Sequence, residues 1–161
     1  HTDSDCHTTM EICFQPLWAP NFRDHDGLRT YMLTDEGFRS TSQIEHRVME
    51  RFWCQQYIVE KPPGGGYEGV PGLNGSMVAI VSRDHRWAIS PAAISSRPYR
   101  LFNNWEYSCI HSNPISGVKG GESRQSRQRI YFHHGDLKSL AERYAGDTEF
   151  DVKYLQHAEH P

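Results

Sequence analysis

Ten of the 161 residues are histidine, and neutral imidazole is the commonest metal ligand in proteins. Strand ends could bring together His111, His133 or His134, and His25. On a strand His133 and His134 point to opposite faces, so at most one of them joins a given site. The chain has no HExxH helix and no HxH on a clear strand, so spacing lends such a centre no support. The plainer reading is scattered surface histidines. One divalent metal ion is the cofactor this chemistry would take.

A second constellation is the stretch 101–114, LFNNWEYSCIHSNP. Trp105, Tyr107 and the more distant Tyr67 could stack on sugar rings, with Asn103, Asn104, Glu106 and Arg29 hydrogen-bonding hydroxyls. The competing reading puts Trp105 and Tyr107 into the core. The Asn103-Asn104 pair needs partners if it is buried. Glu106 and His111 are the candidate catalytic residues, as an acid/base pair in a lyase. Glu68 and Asp136 are further carboxylates, at no fixed separation from Glu106. A serine triad lacks its G-x-S-x-G turn. Asp24-His25-Asp26-Gly27 resembles half of a calcium loop without the distal glutamate, and the plainer reading is an Asx-rich hairpin turn. Arg124, Arg127 and Arg129 suit an acidic ligand or a solvated strand face.

Those residues need elements to hold them. Met10, Ile12 and Phe14 alternate with polar neighbours over 10–18, and 28–33 follows the Asp26-Gly27 turn signal. Together they predict a hairpin with a long loop. Residues 34–41 read as a turn region. The second half of 43–60 reads as a strand, because Tyr57-Ile58-Val59 favour strands. The stretch 61–74 holds three consecutive glycines and three prolines, which predicts a long loop. A hairpin is expected from 77–82 and 86–89, then a loop to Pro98. Residues 99–111 read as one strand, bent near Asn103-Asn104, with a loop over 112–122 and a strand over 123–132. A helix capped by Asp136 should present Leu137, Leu140, Ala141 and Tyr144 on one face and stop at Gly146. About seven short strands with turn signals between them predict an all-β fold. The expected form is an antiparallel β-sandwich, jelly-roll or Ig-like, with one short C-terminal helix.

The totals set the class. The length predicts a single domain over 1–161 with flexible ends at 1–9 and 147–161. The aromatic share of 12% argues against disorder. A net charge of −3 gives no field to attract nucleic acid, and no apolar run is long enough for a membrane span. A start at His1 rather than Met reads as a mature, cleaved or trimmed product, a fragment of a longer parent. A sheet edge near that start would then be open to another chain. Four cysteines, Cys6, Cys13, Cys54 and Cys109, allow three full pairings, and sequence leaves the choice open. The absence of CxxC counts against a zinc knuckle or a redox motif. With a processed start and an Asn74-Gly75-Ser76 sequon, the chain reads as extracellular or cell-surface.

MEICFQPLW, FRDHDGLRTYM, GSMVAIVSRDHRWAIS, NNWEYSCIHSNP and SRQRIYFHHGDLKSLAERY, in that order, resemble the C-terminal half of a group of uncharacterised bacterial β-sandwich proteins. More distantly, the chain is similar to sandwich domains of carbohydrate-active proteins. The resemblance spans most of the chain and implies a sandwich and sugar chemistry. The expectation is a non-catalytic extracellular module that binds carbohydrate or assembles with copies of itself. The alternative is a metal-dependent carbohydrate-active enzyme built around His111. A copper form of it would start from His1. An N-terminal histidine offers its α-amine and ring nitrogen, and with His7 or His111 this resembles the copper brace of lytic polysaccharide monooxygenases.

Overall fold

The computed structural model describes residues 6–15, 19–49, 54–58, 69–94, 100–105, 108–118, 120–123 and 127–158. Among them, ten strands form two five-stranded antiparallel sheets. The strands are β1 (Cys6–Phe14), β2 (Thr30–Thr34), β3 (Gly37–Ser40), β4 (Arg47–Met49) and β5 (Cys54–Ile58). They continue with β6 (Leu73–Val81), β7 (Trp87–Ala93), β8 (Arg100–Asn104), β9 (Cys109–Val118) and β10 (Gln128–His134), before the helix α1 (Leu137–Ala158). The first sheet runs β1-β9-β8-β5-β4 and the second β10-β7-β6-β2-β3.

The two sheets share one apolar layer. Tyr57, Leu101 and Ile110 of the first sheet meet Met32, Val78, Ile80 and Ile89 of the second. Alternation along β6 sends Val78 and Ile80 to that layer and Met77, Ala79 and Val81 to the opposite face. There Leu140 and Tyr144 of α1 cover them, with Tyr131 of β10. The second sheet is therefore apolar on both faces and lies between the first sheet and the helix. This is a sandwich-like all-β arrangement with one C-terminal helix, as the sequence predicts.

The helix begins as expected. Ser139 N donates to Asp136 Oδ1 at 2.8 Å, and Leu140 and Tyr144 are buried with Leu137 and Ala141 packed beside them. It does not stop at Gly146 but runs on to Ala158. A helical glycine costs only about 1 kcal/mol relative to alanine. The next turn is held by Asp147, 2.8 Å from Arg129 Nη1, and by Thr148 Oγ1 donating to Tyr144 O at 2.8 Å.

Other expectations change. β1 and β2 are not a hairpin: β1 pairs with β9 in one sheet and β2 with β3 and β6 in the other. The chain is held in its crossing by Arg29, whose guanidinium donates to the carbonyls of Asn21, Arg23 and Val81. The 34–41 turn region contains β3, which leaves a tight Asp35-Glu36 hairpin. The stretch 99–111 is two strands, β8 and β9, folded back on each other with Leu101 opposite Ser112 and Asn104 opposite Cys109. Their turn uses Ser108 at φ +50°, and β9 continues through Pro114 where a loop was expected. The expected loop at 61–74 lies outside the described residues up to 68, and its last two residues, Leu73 and Asn74, already belong to β6.

Candidate metal centre at the β1–β9 ladder

The β1–β9 register puts Cys13 directly opposite His111, so both side chains leave the sheet on the same face. Cys109 precedes His111 by two, and the two-residue period of a strand returns it to that face. Ile110, between them, points the other way and is fully buried in the inter-sheet layer. Pleating and pairing thus gather three donors from residues 96 positions apart in sequence.

The donors are close. Cys13 Sγ lies 2.6 Å from Cys109 Sγ, and Cys109 Sγ lies 2.6 Å from His111 Nε2. All three donor atoms fall within 4.8 Å of one another. Both cysteines are thiols. Cys109 is buried, His111 half-buried and Cys13 exposed, so the group has a protected floor and an open side.

The donor set fits a borderline-soft metal. Two thiolates and an imidazole are ligands of zinc and of copper(I), whereas calcium and magnesium require oxygen. Tetrahedral zinc with arms of about 2.3 Å sets its sulfurs ~3.7 Å apart. The pair here is more contracted, and rotation of the exposed Cys13 side chain is the movement that widens it.

The other predicted residues go elsewhere. His133 is buried at the base of α1, its Nε2 2.9 Å from Ser139 Oγ. His134 is exposed and lies edge-on against Trp87, ring centroids 4.7 Å apart. His25 is exposed in a turn whose carboxylates are taken by nearby donors: Asp24 accepts from Arg29 N and Thr30 Oγ1, and Asp26 from Leu28 N. Arg29 fastens the β1–β2 crossing. Asn103 and Asn104 are buried, and Asn103 Nδ2 donates to Thr41 Oγ1 at 3.4 Å. Trp105 is half-buried against His46 and Gly27. A β-carbon at position 27 would stand 2.6 Å from Trp105 Nε1, and the +68° φ of Gly27 also disfavours any side chain there. His1, Tyr67, Glu106 and Tyr107 lie outside the described residues.

Among the described residues, His111 is the one predicted metal ligand that joins a cluster, and the partners that sequence reasoning missed are Cys13 and Cys109. The signal was present in Cys109-Ile110-His111: C-x-H on a strand places two ligands on one face as surely as H-x-H does. No protein-family model, curated protein or solved structure matches the chain.

Proposed function

We propose that this chain is a metal-binding β-sandwich module that holds one divalent ion of the zinc class through Cys13, Cys109 and His111. The observation that carries it is the convergence of three soft or borderline donors within 4.8 Å on one sheet face. Three protein ligands leave a fourth position, and the exposure of Cys13 opens it to water or to a ligand atom. A zinc ion there would serve as a Lewis acid for whatever occupies that position. Sugar stacking on Trp105 would require the ring to leave Gly27 and His46, so the carbohydrate reading ranks below the metal reading.

Elemental analysis of protein purified without a histidine tag tests this. One zinc equivalent per chain is expected, lost in both Cys109→Ser and His111→Ala while circular dichroism keeps the strand signal. Cobalt substitution should add thiolate-to-metal absorption that Cys13→Ser weakens. A wild-type chain that takes up neither metal overturns the proposal.

A second reading is favoured by one region. β1 and β10 are sheet edges on the same side, where Phe14 and Phe132 touch with ring centroids 6.0 Å apart. Trp87, Ile130 and Phe132 remain exposed beside them. Terminal strands of the described sheets beside exposed apolar side chains suit pairing with a second copy of this chain.

A further inference from the structure

We infer that Cys13 and Cys109 are a reversible thiol pair, oxidised by a hydroperoxide to a disulfide that fastens β1 to β9 and removes both sulfur ligands from the metal. The inference rests on the same three residues as the metal reading but does not need a metal to be bound. Backbone register decides the pairing that sequence left open. Asn104 pairs with Cys109, and Asn103 with Gln55, so Cys54 stands two strands from Cys109. Two interstrand steps of about 4.8 Å put their Cα atoms ~9.6 Å apart, beyond the ~7 Å a disulfide spans. Cys6 is seven positions from Cys13 along β1, ~23 Å at about 3.3 Å per residue, and pairs with Val118 at the far end of β9. Within one chain only Cys13 and Cys109 are placed to join.

Their surroundings divide the work. Cys13 is exposed and meets the oxidant, whereas Cys109 is buried, with its sulfur beside Cys13 and His111. The Cys13 thiolate, its proton released to solvent, attacks the distal oxygen of hydrogen peroxide. The O–O bond breaks, the sulfur becomes a sulfenic acid, and hydroxide leaves and takes up a proton as water. His111 Nε2 then accepts the Cys109 proton. The Cys109 sulfur attacks Cys13 Sγ, the S–O bond breaks, and the departing hydroxide takes the proton back from His111. Two thiols and one peroxide give one disulfide and two waters. A dithiol reductant reverses the change by thiol–disulfide exchange. His111 is a positioning and proton-accepting residue for Cys109, and its loss should slow bridging by about 100-fold, the lower end of general-base effects.

The test uses the full chain with Cys6→Ser and Cys54→Ser, so that two thiols remain. One equivalent of hydrogen peroxide added to metal-free protein should take the thiol titre from two to zero per chain. Peptide mapping should recover the Cys13 and Cys109 peptides cross-linked, and dithiothreitol should restore both thiols. In Cys109→Ser the sulfenic acid on Cys13 should persist and be trapped by dimedone. In His111→Ala the bridge should form slowly, and raising the pH should recover much of the rate. Cross-links between chains, or sulfinic acid on Cys13 without a bridge, overturn the inference. Peroxide added to zinc-loaded protein then separates the two ideas. Bridging without any zinc uptake removes the metal reading alone, and zinc uptake without bridging removes this one alone.

Discussion

Asp24 shows how a single group in this fold responds to its surroundings. It is buried, its Oδ2 accepts from Thr30 Oγ1 at 2.6 Å and from Arg29 N at 3.0 Å, and its own N–H donates to Ser108 Oγ at 2.7 Å. Desolvation is the largest influence on its carboxyl and pushes its pKa above the ordinary 3.8. Asp26 moves the other way, chiefly through its hydrogen bond with Asp24. A carboxyl with a raised folded-state pKa holds its proton more tightly folded than unfolded. Its contribution to stability is complete below the unfolded value of 3.8 and is lost as pH rises through the folded value. The unfolding free energy of wild type minus that of Asp24→Asn should therefore fall as pH is raised from about 4. Urea denaturation across that range measures it, and a flat or rising difference would sink the account. The DHDG turn was legible as a turn, since Asx and Gly chemistry is local. The burial of Asp24 was not, because its lid is Ser108, 84 positions away.

Among the elements, β7 is the one the sequence cuts short. Pro91 marks a loop by every local rule, yet β7 runs to Ala93 between β6 and β10. The registers Met77 with Ala92 and Ile80 with Ile89 place Pro91 opposite Val78, where its missing N–H would leave the Val78 carbonyl without a partner. Ser90 supplies one instead, its hydroxyl donating to Val78 O at 2.7 Å. Ser90→Ala should cost about 1–3 kcal/mol, the range for an unsatisfied buried acceptor. In a Pro91→Ala background, where an N–H is present again, the same change should cost less than about half of that. Equal costs in the two backgrounds, by urea denaturation, would show that the hydroxyl has no such role. α1 is the contrary case. Its cap and apolar face are local patterns legible in sequence, while its passage beyond Gly146 involves a distant partner, Asp147 meeting Arg129 on β10.

At the scale of the whole molecule, the exposed apolar side chains beside β1 and β10 carry the self-association reading. Phe132 lies opposite Ile89 of the inter-sheet layer but is 62% exposed, so one rim of that layer faces water. Wild-type protein should show a rising average mass with concentration in sedimentation or light scattering, and Phe132→Glu should stay monomeric with unchanged thermal unfolding. A wild type monomeric at every concentration removes this reading. No described helix is long and apolar enough to cross a membrane.

The chain's order of residues determined by itself what depends on near neighbours. Period-two alternation made the Val78 and Ile80 side of β6 and its hairpin to β7, the Asp136 cap began the helix, and many short strands ahead of one helix implied a sandwich-like all-β fold. Only the tertiary structure decided which distant strands lie side by side. It split 99–111 into two strands, turned Asn103 inward beneath Thr41, and set Cys13 beside Cys109 and His111. Pairing between β1 and β9 is chosen by how both sheets bury Ile110 and its neighbours together, and no window of sequence contains that competition.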